Sequence, residues 1–261
     1  MIFILLPAFN EEKNIEAVLK DIDATLSAIK LPAHIVVIND GSSDRTSELA
    51  KAFSSYNKID VIDFKMNCGV GAVFRRGISW VTRQAENDDI LITLDCDCTH
   101  PAEIFSSLIA KIRSGCDLSI ASRYHRTSRI VKLPPLRALL SNSVNYILKI
   151  FFPIAGIKDY TTFFRAYRME ILKQAQTLYG DKFIESRGFV SMAEILVKIS
   201  KFAPKMDEVG VNLRFDRRQG KSKMKIARTI LEYWGLITRE KCRELTAFFK
   251  NKVIDKKKAD F

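Results

Sequence analysis

The chain has 261 residues, 47% of them hydrophobic and 28% charged, enough for one sizeable α/β domain with a modest appendage but no call for two independent domains. Its 42 Lys and Arg against 30 Asp and Glu leave a formal charge of +12, suited to nucleic acid, an anionic membrane surface or phosphorylated ligands. Five cysteines without C-x-x-C spacing argue against a disulfide framework or structural zinc, and no uncharged apolar stretch reaches the ~18 residues of a transmembrane helix. With no N-x-Ser/Thr acceptor site either, the expected setting is cytoplasmic, and any membrane contact peripheral.

The apolar run Ile2–Leu6, ending at Pro7, predicts a first strand; it lacks the basic leader and small-residue cleavage site of a signal peptide. Ile15, Val18, Leu19, Ile22 and Leu26 then recur at helical spacing, after an asparagine and two glutamates suited to a helix start. Ile35–Ile38 predicts a second strand, closed by the turn N-D-G-S-S-D at Asn39–Asp44. A helix over Arg45–Phe53, a strand over Val61–Phe64 and a helix opened by Gly69 and Gly71 follow. Ile90–Leu94 is a fourth apolar strand, Pro101 starts the next helix, and Asp117–Ala121 is a fifth strand. Strands apolar throughout and separated by helices imply a mostly parallel open sheet covered on both faces, with ligands beyond the carboxyl ends of its strands. Four polar clusters fall on that rim: P-A-F-N-E, N-D-G-S, D-C-D and S-R-Y.

In D-C-D, Asp95 and Asp97 stand two apart on an extended strand end, so both carboxylates point one way and can converge on a hard cation, Mg2+ or Mn2+. The bland alternative is a solvated, helix-capping acidic turn. Cys96 and Cys98 read as small packing residues, because thiolates mix poorly with hard oxygen ligands. Asp40 ends a strand and offers a carboxylate to a nucleobase or ribose, or else merely closes the turn through Gly41, with Asp44 as the structural partner. N-C-G-V-G-A fails the G-x-G-x-x-G dinucleotide fingerprint but remains a turn where backbone can approach a ligand. Downstream, Arg123, Arg126, Arg129, Arg137, Arg165, Arg217, Arg218, Lys221 and Lys223 gather where a diphosphate and an anionic acceptor would sit; any one alone reads as a solvated charge. D-R-R-Q-G-K-S-K stands out, since glycine and serine among cations suit a phosphate-gripping loop.

Taken in order, P-A-F-N-E, I-N-D-G-S-S-D-R-T, D-C-D-C-T-H-P, S-R-Y, D-Y-T-T-F-F-R-A-Y and D-R-R-Q-G-K-S-K closely resemble family 2 glycosyltransferases of the dolichyl-phosphate mannosyltransferase type, including bacterial polyprenyl-phosphate sugar transferases. The resemblance covers residues 2 to 225 and implies the A-type glycosyltransferase fold, a Rossmann-like open sheet, with 1–225 as catalytic domain and 226–261 as a basic extension of amphipathic helices. It implies donor contacts from Pro7, Phe9, Glu11, Ile38, Asp40 and Ala72, with Asp95 and Cys96 beside the diphosphate. Asp97 would ligate the metal, Thr99 would be its second ligand, and Arg123, Arg217 and Lys223 would hold the diphosphate or acceptor phosphate. The catalytic set so implied is Asp97, Arg123 and Arg217. Three departures stand out: Phe9 for tyrosine, Cys96 for alanine, and Phe163 where a glycine is usual.

The resemblance implies an inverting transfer from a nucleotide-diphosphate sugar, GDP-mannose or a UDP-sugar, to a polyprenyl or dolichyl phosphate on the cytosolic face of a membrane, with a membrane-anchoring partner protein allowed for. A phosphate acceptor is anionic near neutral pH, its second pKa being about 6, and needs no strong base. A hydroxyl acceptor does need one, and Asp159 or Glu194 is the candidate. A nucleic-acid-binding protein is the rival of another class and is disfavoured, because the strongest basic cluster lies inside the family-like loop. Two apolar stretches, one between Pro134 and Ile157 carrying Leu136 to Phe152 and one from Ile226 to Ile237, suit amphipathic helices at a headgroup interface.

Overall fold

The computed structural model describes residues 1–132, 135–220 and 226–259. The first half runs β1 (Ile2–Ala8), α1 (Ile15–Ala28), β2 (Ala33–Asn39), α2 (Thr46–Ala52), β3 (Lys58–Asp63), α3 (Val70–Thr82), β4 (Ile90–Thr93), α4 (Phe105–Arg113) and β5 (Leu118–Ser122). The second adds β6 (Arg129–Val131), α5 (Pro135–Phe151), β7 (Arg165–Arg168), α6 (Met169–Tyr179), α7 (Ser191–Ser200), β8 (Met206–Gly210), β9 (Asn212–Arg214) and α8 (Ile226–Ala259).

Seven strands form one sheet in the order β3-β2-β1-β4-β7-β5-β8, parallel except for β7, which runs antiparallel to β4 and β5. The expected open α/β sheet is therefore present. Alternate residues of each inner strand feed opposite faces: Phe3, Leu5, Val36 and Ile38 join one core cluster, while Ile4, Leu6, Ile35 and Val37 join the other. Both faces being covered, the strands read as unbroken apolar runs. β3 is only half-buried, and its Lys58, Asp60 and Asp63 blunt the sheet edge. β6 and β9 pair as a separate parallel ribbon.

The C-terminal stretch is one long helix where several were expected. Tyr233, Leu236 and Ile237 of α8 enter the same core as the sheet. Among the described residues no helix is long and apolar enough to cross a membrane.

Candidate active site

The ends of β1, β2 and β4 border a cleft of about 570 Å³. Pro7, Phe9 and Glu11 enter it after β1, Asp40 after β2, and Asp95, Cys96 and Asp97 after β4. The loops are knitted together side chain to backbone. Asn10 N–H donates to Ser42 Oγ at 2.8 Å, Ser43 N–H to Asn10 Oδ1 at 2.8 Å, and Glu11 N–H to Thr46 Oγ1 at 2.7 Å. Asp44 accepts from Glu12 N–H and from Thr46 N–H, a structural use that leaves Asp40 to face the cleft.

Asp40 accepts the backbone N–H of Cys68 at 2.7 Å and of Gly69 at 2.9 Å, and the Asn67 amide at 3.0 Å. Burial pushes its carboxyl above the ordinary value, although those backbone donors pull the other way. Gly69, at φ +90°, and Gly71 approach protein backbone: a Cβ on Gly71 would lie 1.8 Å from Ser186 O, and Gly71 N–H donates to Arg187 O at 2.9 Å. That contact brings Arg187, Gly188 and Phe189 to the cleft wall.

At the D-C-D turn, Asp97 Oδ1 accepts Thr99 N–H at 3.1 Å and its hydroxyl at 2.5 Å, while Asp97 Oδ2 faces an Arg218 guanidinium nitrogen at 3.3 Å. Thr99 thus holds Asp97 through both its N–H and its hydroxyl. Asp95 N–H donates to His100 Nδ1 at 3.0 Å, fixing the turn, and the His100 ring stacks on Phe164. Cys96 is buried between the two aspartates, and burial pushes its thiol well up; Cys98 is pushed up to about 11 by burial and Asp97. Neutral thiols beside two carboxylates leave a hard oxygen donor set, and a guanidinium already sits where positive charge is wanted. The residues therefore fit Mg2+ or Mn2+.

A side chamber of about 120 Å³ opens from the cleft at Asp95, with Leu140 and Val144 of α5, Thr229, Ile230 and Tyr233 of α8, Phe163 and Phe215 around it. Arg123 closes it. The guanidinium grips Asp159 through Nε at 2.8 Å and Nη2 at 2.7 Å, and it also donates to Ser141 and Thr161. Burial opposes the charges of this pair, but each partner outweighs it: Arg123 is raised and Asp159 lowered from the usual values. Glu208 receives the N–H groups of Lys158 and Asp159, holding the carboxylate in place. Phe163 needs no glycine-like backbone: it packs against Phe74 and Phe189.

The site brings together Pro7, Phe9, Glu11, Asp40, Asp95, Cys96 and Asp97, with Arg123 next door and Thr99 between them. Ile38 lies in the core, because alternation along β2 turns it away from the rim. Ala72 sits in the first turn of α3 but outside the cleft lining, where Val70 and Val73 take its place. Arg217 is exposed and outside the lining; the turn closed by Arg217 N–H to Arg214 O sends its neighbour Arg218 inward instead. Lys223 lies outside the described residues. Arg165 is fully buried, donating to Met192 O and Tyr160 O, and serves the fold. Arg187, Arg228, Glu232 and Tyr233 were missed. The G-F of E-S-R-G-F was a faint cue to Arg187; the α8 residues carried no local signal, since apolar periodicity does not say which cavity a helix walls.

Residues 3–175 match the family described as Glycosyl transferase family 2. The chain is 32% identical over 231 residues to Dolichol-phosphate mannosyltransferase of Pyrococcus furiosus, covering 88% of this chain and 60% of that one. It thus spans less than two thirds of that relative's length. Polyprenol monophosphomannose synthase of Mycolicibacterium smegmatis is 27% identical over 223 residues, 85% of this chain and 80% of that one. Among solved structures, glucosyl-3-phosphoglycerate synthase from Mycobacterium tuberculosis in complex with phosphoglyceric acid superposes at TM-score 0.64 and 17% identity, covering 90% of this chain and 78% of that one. The same enzyme with Mn2+, UDP-glucose and phosphoglyceric acid gives 0.63 at 18%, with 91% and 80% covered. At that identity the likeness shows the fold alone.

Proposed function

The chain belongs to glycosyl transferase family 2, and from that premise we propose that it moves a sugar from a nucleotide-diphosphate donor to the phosphate of a polyprenyl or dolichyl lipid. The observation that carries this reading is the side chamber: apolar residues of α5 and α8 line it together with Arg123, and it shares Asp95 with the donor cleft. Such a chamber suits an anionic head on an apolar tail. The names of the Pyrococcus and Mycolicibacterium relatives support the same acceptor class.

In the proposed reaction the donor's diphosphate lies along Asp95 and Asp97, with Arg218 beside Asp97 and Arg187 and Arg228 also in the cleft lining to offset its charge. Phe9 offers a ring face to the base and Asp40 an acceptor to its N–H groups. The Asp95 and Asp97 carboxylates would hold Mg2+ or Mn2+, which would supply positive charge against the leaving diphosphate. An acceptor phosphate oxygen, already anionic, forms the bond to the anomeric carbon. The bond from that carbon to the donor diphosphate breaks, the nucleoside diphosphate leaves with the electron pair, and configuration inverts. The chain's work is to hold two anions in line.

A hydroxyl acceptor is disfavoured by the fate of its two candidate bases. Asp159 is locked to Arg123, and Glu194 is buried against Lys198 at 2.6 Å and Arg239 at 2.8 Å. We place the enzyme peripherally on the cytosolic leaflet, through the outward apolar residues of α5 and α8, with a partner protein able to add an anchor. The test is product analysis with UDP- and GDP-sugars offered with polyprenyl phosphate or with a sugar acceptor, with and without Mn2+. Transfer only to the sugar hydroxyl would overturn the reading.

A further inference from the structure

We propose that Tyr233, reaching in from the C-terminal helix, donates a hydrogen bond to a non-attacking oxygen of the acceptor's phosphate and positions it beside Arg123. This rests on the lipid-phosphate reading above. Three observations converge on it. Tyr233 is 8% exposed and lines the chamber, and its hydroxyl makes no hydrogen bond to any described residue. The ring is buried, but the hydroxyl is not sealed among the buried unpartnered atoms, so it can be met from the chamber by a ligand.

The second observation is the shortage of donors at Arg123. Four of its guanidinium N–H groups are engaged, by Asp159 twice, Ser141 and Thr161. A guanidinium has five. One N–H is left for a ligand, so a phosphate arriving there needs a second donor from another element. The third is placement: Tyr233 and Arg123 line the same chamber, and the charges of Arg123 and Asp159 both act on the Tyr233 phenol. Burial pushes its pKa up, so the phenol stays protonated and can only donate to an anion. Asp159 does not compete for that proton, because it already accepts from the Arg123 side chain and from the N–H groups of Arg123, Thr161 and Thr162. Tyr233 is thus a positioning residue, and α8 completes the acceptor site.

Tyr233→Phe removes the hydroxyl and keeps the ring that packs against the core. With farnesyl phosphate as acceptor and saturating donor, the variant's KM for farnesyl phosphate should rise about tenfold, the loss expected of one hydrogen bond to a charged group. The donor KM and the melting temperature should stay at wild-type values. In a parallel thermal-shift arm without donor, farnesyl phosphate and glycerol 3-phosphate should stabilise the wild type more than the variant, and farnesol neither. An unchanged acceptor KM, or a lowered melting temperature with both KM values moving together, overturns the proposal. If the wild type transfers no sugar to farnesyl phosphate, the lipid-phosphate reading fails. Glycerol 3-phosphate then decides Tyr233 alone: a larger shift in the wild type supports it, and equal shifts overturn it.

Discussion

In the donor cleft the acidic side chains of Glu11, Asp40, Asp95 and Asp97 stand one to four residues beyond the ends of β1, β2 and β4 and line the cavity. In the side chamber and behind it charged side chains come from the end of β5, from helices and from the irregular segment 159–164, and almost every charge is already matched. Arg123 meets Asp159, and Lys198 meets Glu185, Glu194 and Glu240 within 3.8 Å, with Arg239 and Arg243 closing the same network across to α8. Those three glutamates have the spacing of a cation site, but lysine and arginine side chains fill it. The contrast separates two uses of the same residue types. The strand-end carboxylates line a cleft that a ligand can enter, whereas those behind the chamber hold α7, α8 and the Arg187 loop together.

The largest effect expected from this contrast is at Asp97. Asp97→Ala should lower transfer by about a thousandfold, since it removes charge aimed at the leaving diphosphate. Thermal unfolding should be nearly unchanged, and loss of melting temperature in step with activity would break the distinction. Next is Asp159→Ala, which strands Arg123 without its partner. Breaking a buried pair costs about 3–5 kcal/mol, read in urea unfolding, and the rim substitution should show no such loss.

Acidification separates the regions by sign. Asp159, Glu185 and Glu240 are held below their usual range; burial pushes each up, but the cations facing them outweigh it. Their stabilisation is present above the unfolded carboxylate values and is lost as pH falls through the lower folded ones. Asp40 is raised, so its ionisation opposes folding and its protonation on acidification relieves that cost. Unfolding followed from pH 7 to pH 3 should show stability falling in the wild type and falling less in Glu240→Gln. Asp40→Asn should retain the wild-type acid loss.

How far the sequence shows all this follows from the same contrast. A parallel strand buried on both faces announces itself as an apolar run, and its end marks the rim, so Asp40, Asp95 and Asp97 could be placed from the residues alone. β7 was missed because Arg165-Ala-Tyr-Arg168 is four residues long with charged ends, and its pairing partners lie far away in the chain. Glu194 and Lys198, four apart on α7, look like an ordinary surface pair; only the packing of α8 over them makes both fully buried. In D-R-R the choice between adjacent arginines depends on a turn, and the turn favours Arg218. Arg218→Ala should therefore weaken donor turnover about tenfold, as for loss of one charge-assisted contact, while Arg217→Ala changes it far less. Equal effects would mean that the loop closes differently over a donor.

The smallest effect concerns the outer surface. Periodicity marks α5 and α8 as apolar without saying which side meets the core, and the structure divides them. Leu148 and Phe152 are core residues, while Leu139 and Ile150 are 63% and 60% exposed. On α8, Tyr233 and Leu236 turn inward, while Leu231 and Trp234 are 72% and 48% exposed. The two helices touch through Phe151 and Trp234, ring centroids 6.2 Å apart, so their outward residues flank the chamber together. Exposed apolar side chains beside Arg228 suit a headgroup interface, each cation adding about 1 kcal/mol near an anionic surface. Co-sedimentation with phosphatidylserine vesicles should be strong at low salt and weaken as the screening length shortens toward about 8 Å at physiological ionic strength. Leu231→Ser with Trp234→Ser should reduce vesicle binding severalfold while sparing melting temperature and transfer to a short, water-soluble phosphate. Substituting Leu148 or Phe152 should instead cost stability of about 2–5 kcal/mol, as for any emptied core position. If the outward pair costs stability in the same way and vesicle binding is unmoved, that face packs on protein rather than lipid, and the chamber must receive its acceptor from solution.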